Sequence, residues 1–125
     1  MFNKKLKKEI EGLREEIEGL RRDFWRSQYP YGEVTCERSL FLGNTSIYYK
    51  SDYNITLYIT AMLYTTQIKY SIKKRVNLIY LTLEYQKREN AEPVDVKQTF
   101  VIKNGIAVEI DKEVTLDSFD ITGTV

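Results

Sequence analysis

Six apolar residues, Leu6, Ile10, Leu13, Ile17, Leu20 and Phe24, recur at alternating intervals of four and three near the start of the chain, which is the signature of a heptad seam. Ile10, Ile17 and Phe24 take the a positions, and Leu6, Leu13 and Leu20 the d positions. The flanks are sorted by sign. Glu9, Glu16 and Asp23 occupy g, while Lys7, Arg14 and Arg21 occupy e. In a parallel pair, g of one helix faces e of the next heptad in its partner, so Glu9 meets Arg14 and Glu16 meets Arg21. An antiparallel pair sets like against like. The pattern therefore predicts a parallel homo-oligomer joined by a helix from about Asn3, as cap, to about Ser27, roughly 37 Å long at 1.5 Å per residue. One heptad, Glu9 to Glu15, is repeated almost unchanged from Glu16 to Arg22. Gly12 and Gly19 fall at the outward c position, each costing about 1 kcal/mol against Ala. Three heptads carrying two glycines are marginal alone, so the rest of the chain is expected to assist association.

Tyr29-Pro30-Tyr31-Gly32 ends the helix, because proline disfavours a helical residue before it and glycine permits a turn. Trp25, at position b, is expected to pack the helix end onto the sheet body. The fold class predicted is α+β: a coiled-coil helix over residues 1–28, then an antiparallel β-sheet body of about seven strands over residues 33–125.

Within that body, residues 33–42 read as a first strand closed by Gly43, and Ser46 to Lys50 as a short second one turning at Ser51-Asp52. From Tyr53 to Tyr64 apolar and polar residues alternate, Ile55, Leu57, Ile59 and Ala61 on one face against threonines and tyrosines suited to a half-wet face or contact surface. Gln67 to Lys73 continues the alternation, and Lys73-Lys74-Arg75 is read as a turn. Val76 to Tyr85, apolar on both faces, is predicted as the central strand. Gln86 to Pro93 is read as a charged loop. For the last hairpin, a three-residue loop from Lys103 to Gly105 is expected, pairing Ile102 with Ile106. A two-residue Asn104-Gly105 loop would instead put the apolar row Ile106, Val108, Ile110 on the face opposite to Phe100 and Ile102. A final strand is expected near Val114 to Ile121.

Composition narrows the chemistry. The 125 residues contain no histidine, which removes the commonest general base and metal ligand, and one cysteine, Cys36, whose neighbours Val34, Leu40 and Leu42 mark it as a small core residue. No serine lies in a nucleophile motif, and the six glycines do not cluster into a phosphate loop. Glu109, Asp111, Glu113, Asp117 and Asp120 match no calcium loop and read as a solvated acidic edge. The expectation is a protein that is not an enzyme and holds no metal or cofactor. Lysine and arginine number 19 against 18 acids, so no overall field attracts nucleic acid or lipid. Neither a signal peptide nor a membrane span is recognised, which places the chain in a reducing cytoplasm and leaves the sequons at Asn44 and Asn54 without meaning.

Binding is what remains. Lys69, Tyr70, Lys73, Lys74 and Arg75, with Tyr80, Tyr85 and Arg88, interleave cations and aromatic rings, a mixture that stacks on bases and holds phosphate. The same residues also suit an ordinary strand with a charged, aggregation-resistant edge.

With its short charged coiled coil, opened by Met1-Phe2-Asn3-Lys4-Lys5 and succeeded by a compact antiparallel body, the chain resembles small accessory proteins of bacteriophages. That resemblance implies one of several roles: an oligomeric anti-defence sponge that sequesters a host nucleotide signal, a binder of a host protein, or a component of the particle. No binding residue carries over from it. The leading expectation is a homo-oligomeric binding protein for a nucleotide-like ligand or a host protein. A structural assembly component comes second. A single-stranded nucleic-acid binder comes third, disfavoured by the near-zero net charge.

Overall fold

A computed structural model describes residues 2–39, 41–52, 54–62, 67–110 and 118–125. It confirms the α+β class: one N-terminal helix, then antiparallel strands. The chain divides into two compact units, Met1–Pro30 and Tyr31–Val125.

The first unit is α1, Phe2–Gln28, which begins one residue before the expected cap. Arg21 pairs with Glu18 at 3.8 Å and Arg26 with Asp23 at 3.7 Å, both one turn apart on the exposed surface, where such pairs contribute little. Near the C-terminus the Trp25 and Tyr29 rings lie 5.4 Å apart, and the Tyr29 amide donates to the Trp25 carbonyl.

The second unit holds eight strands among the described residues, one more than expected. They are β1 (Glu33–Ser39), β2 (Asn44–Ser51), β3 (Asn54–Ala61), β4 (Lys69–Arg75), β5 (Leu78–Glu89), β6 (Glu92–Lys103), β7 (Ile106–Ile110) and β8 (Ile121–Thr124). Strands β1-β2-β3 form one antiparallel sheet and β7-β6-β5-β4-β8 the other, with β5 central as its doubly apolar sequence predicts. One core joins the sheets: Val34, Ile47 and Tyr49 from the first, and Ile68, Ile72, Leu81, Leu83, Tyr85, Phe100 and Ile102 from the second. Each fully buried Ile or Leu there contributes about 1.5–3 kcal/mol from removal of apolar surface from water. The sheets also meet through polar contacts. The Arg88 amide donates to the Met62 carbonyl at 2.6 Å, and the Arg38 guanidinium to the Val125 carbonyl at 3.0 Å.

Several expectations need correction. Lys73-Lys74-Arg75 is strand rather than turn, and the reversal falls at Val76-Asn77. The supposed loop Gln86–Pro93 is strand on both sides of a two-residue reversal at Asn90-Ala91, both with positive φ, as the tightest hairpins require. Lys103 pairs with Ile106, so the last hairpin turns on Asn104-Gly105 alone, at φ 51° and 75°. The three-residue loop is therefore wrong, and the row Ile106, Val108, Ile110 faces away from the core. In β3 a register shift beside Tyr49 and Lys50 carries Ile55 off the apolar face, leaving it 58% exposed. The last strand begins at Ile121, where the expected one was to end. Residues 111–117, on which half of that expected strand and three of the five carboxylates fall, lie outside the described residues, as do Tyr53 and 63–66. Cys36 is half-buried and packs against the core. Among the described residues no helix is long and apolar enough to cross a membrane.

Candidate functional site

The seam of α1 is open along its whole length: Leu6, Ile10, Leu13, Ile17, Leu20 and Phe24 are between 42% and 69% exposed. Burying such residues is what gives a helix of this length its stability in most proteins. Here the chain leaves them to solvent.

A second open apolar surface arises from strand parity. In β5, Leu81, Leu83 and Tyr85 point into the core, so Leu78 and Tyr80 point out. The ladder places Tyr80 between Lys73 of β4 and Val101 of β6, and Val101 in turn pairs with Val108 of β7. One step along the strands, Arg75 pairs with Leu78 and Lys103 with Ile106. The outer face of the five-stranded sheet thus carries a patch made of Leu78, Tyr80, Val101, Ile106 and Val108. Ile106 is 67% exposed and Val108 61%. Three cations rim the patch, Lys73, Arg75 and Lys103, and the Arg75 guanidinium lies 5.6 Å from the Tyr80 ring centre. Among the described residues the Asp120 carboxylate stands at the β4 margin of the patch, accepting from the Lys74 amide, and Glu84 lies further along β5.

The residues singled out by sequence are thereby divided. Lys73, Arg75 and Tyr80 come together on this face. Lys69 shares the face, but lies opposite Glu84, beyond the Ser71–Thr82 pair. Tyr70 and Tyr85 turn the other way. The Tyr70 ring stands over Gly123, where an added Cβ would collide with it, and the buried Tyr85 hydroxyl donates to Gln98 Oε1 at 2.7 Å. Burial, and then the charge of Glu109, pushes the Tyr85 phenol above its usual range. The Lys74 amide donates to the Asp120 carboxylate at 2.7 Å. Arg88 stands near the far end of β5, roughly 26 Å of strand from Tyr80.

A cavity of about 480 Å³ lies towards that end, lined by residues including Lys69, Glu84, Tyr85, Asp95 and Lys97. Its charges largely cancel: Lys97 stands 3.8 Å from Glu84, and the Gln86 amide donates to Asp95 at 2.8 Å. It offers no concentrated field for an anion. Among the described residues no three His, Cys, Asp or Glu side chains gather closely enough to hold a metal ion.

Ile106 and Val108 were missed as site residues because the expected hairpin register turned their row into the core, and Lys103 because it was assigned to the loop. The dipeptide Asn104-Gly105, the strongest short signal for a two-residue hairpin, would have exposed them. Comparison with protein-family models, with curated proteins and with solved structures gave no match.

Proposed function

We propose that the chain is a homo-oligomeric binding protein rather than an enzyme, assembled in parallel through α1, and that its five-stranded sheet captures a nucleotide-like ligand. The observation that carries the ligand class is the apolar patch around Tyr80, Val101 and Val108, edged by the three cations Lys73, Arg75 and Lys103 against one carboxylate, Asp120, at its β4 margin. A planar base needs an apolar and aromatic floor, and its phosphates need a local excess of cations. Tyr80 with the two valines supplies the first, and Lys73, Arg75 and Lys103 the second. On the phage likeness, the captured molecule is a host nucleotide signal and its sequestration is the function.

Thermal shift against a panel of cyclic and linear nucleotides tests this. A ligand present at a hundred times its Kd stabilises the folded chain by about 2.7 kcal/mol, an easily measured rise in melting temperature. Lys73→Glu with Arg75→Glu should abolish the rise without altering the melting of the free protein. No rise with any nucleotide, or a rise that survives both charge reversals, rejects the reading.

A further inference from the structure

The three-stranded sheet has an outer face of different character. In β2 the residues Thr45, Ile47 and Tyr49 are buried, so Ser46, Tyr48 and Lys50 point outward. The ladder sets Tyr48 between Thr35 and Tyr58, and Ser46 between Glu37 and Thr60. Two tyrosine rings thus stand side by side, centres 5.1 Å apart and tilted by 49°, with Tyr58 57% exposed. Around them runs a connected set of hydroxyls. Thr60 donates to the Tyr58 oxygen at 2.8 Å, Ser46 lies 3.3 Å from Thr60 and 3.4 Å from the Tyr58 oxygen, and Tyr48 donates to Glu37 at 3.3 Å. Hydrogen bonds from Ser46 and Thr60 hold the Tyr58 phenol below its usual range, whereas partial burial and then the Glu37 charge push that of Tyr48 up. The Tyr58 hydroxyl accepts from Thr60 and is 57% exposed as a residue, so a bound ligand can also reach it.

We infer that this face, Tyr48 and Tyr58 with Ser46, Thr60 and Glu37, is a binding platform for a neutral saccharide. A pyranose ring presents a face of C–H groups that lies on an aromatic ring, and an equator of hydroxyls that both donate and accept. Two rings set at an angle form a shallow trough for such a unit, and Ile55, exposed next along β3, extends its apolar floor. Glu37 accepts from neighbouring sugar hydroxyls, while the Ser46, Thr60 and Tyr58 hydroxyls exchange bonds with the others. Charge selects against the alternatives. Among the described residues of this face Glu33 and Glu37 outnumber the one outward cation, Lys50, which pairs with Glu33 in the ladder, so a phosphate or nucleic acid is repelled here. The cation-rimmed patch of the other sheet has the opposite balance, and the two surfaces therefore take different ligands. In an oligomer the platform is repeated, which turns weak single-site affinity into avidity.

Titration calorimetry of the full chain with cellohexaose, maltohexaose, laminarihexaose and chitohexaose tests the assignment. At least one should bind, with an affinity unchanged between low and high salt because no ion pair forms. Tyr58→Ala should weaken binding roughly tenfold, the equivalent of one lost stacking contact. Tyr58→Phe should weaken it less, and Glu37→Gln should weaken it with no loss of melting temperature. Absence of binding to all four, or full affinity in a Tyr58→Ala variant that retains the wild-type circular dichroism spectrum, overturns the inference.

Discussion

At the scale of single residues, Tyr49 and Gly32 form the tightest constraint in the body. The Tyr49 side chain is almost wholly buried, and its hydroxyl donates to the Tyr31 carbonyl at 2.7 Å. Gly32 comes next at φ 88°, and a Cβ there would run into the Tyr49 ring and the Lys50 carbonyl. Gly32→Ala should therefore destabilise the body by about 2 kcal/mol or more, from backbone strain and collision together. A urea midpoint equal to wild type would show that the turn is not so confined. Tyr49→Phe keeps the packing and leaves one carbonyl unpaired, at about 1–2 kcal/mol. Burial also holds the Tyr49 phenol protonated well above its usual range. Above pH 10 the unfolded chain loses this proton while the folded chain keeps it, so stability is complete below pH 10 and falls as pH rises. The slope is about 1.4 kcal/mol per pH unit for this one group. Urea midpoints at pH 8 and pH 11 should fall further in wild type than in Tyr49→Phe. Equal falls would mean that Tyr49 is not the group responsible.

At the scale of elements, how much could be read from sequence depended on whether a strand's parity was anchored. The basic and aromatic residues of β4 and β5 were grouped by composition alone, with Lys73-Lys74-Arg75 read as a turn; once that run is strand, Lys73, Arg75 and Tyr80 share one face, whereas Tyr70 and Tyr85, one residue out of phase with them, face the other way. For β7 the anchor was a loop of two residues or three. Aligning all the apolar residues favoured three; the backbone adopts two, because Asn104 and Gly105 tolerate positive φ and their turn matches the twist of the strands. The outer face of β3 was legible as a polar, tyrosine-bearing surface, but the pairing of Tyr58 with Tyr48 was not, since strand partners across a sheet leave no mark in a single sequence. Asn104→Val should cost about 1–2 kcal/mol, because a β-branched side chain resists this conformation, while Asn104→Gly should cost far less. Comparable losses for the two in urea unfolding would contradict the observed turn. In α1 an added Cβ at Gly12 or Gly19 meets nothing within 4 Å. Gly12→Ala with Gly19→Ala should stabilise the helix by about 1 kcal/mol per site, seen as a higher helical melting temperature at 222 nm.

At the scale of the whole molecule, the two compact units are stabilised in different ways, and that difference is measurable. The body has a core of its own, so its unfolding is unimolecular and its melting temperature should not depend on protein concentration. The helix leaves its apolar seam to solvent in a single chain, and on the proposed parallel assembly its stability comes from another copy. By mass action its melting temperature should then rise with concentration. Circular dichroism at 222 nm over a hundredfold range of concentration should shift the helical transition upward, while the near-ultraviolet signal, dominated by the body's tyrosines, stays in place. Charge tests the geometry of the pairing. Arg14→Glu with Arg21→Glu sets acid against acid at both g–e contacts of a parallel pair. That variant should lose mass by light scattering and lose the concentration dependence. Adding Glu9→Arg and Glu16→Arg recreates opposite charges with the signs exchanged, and should restore both. An antiparallel arrangement predicts a different result, because g then faces g and e faces e: the first double reversal would make both flanks acidic and the fourfold variant would restore only the original like-charge conflict. Unchanged mass in the double variant, or a helical transition that ignores concentration in the wild type, would mean that α1 does not join copies of the chain, and the open leucine and isoleucine seam would need another occupant.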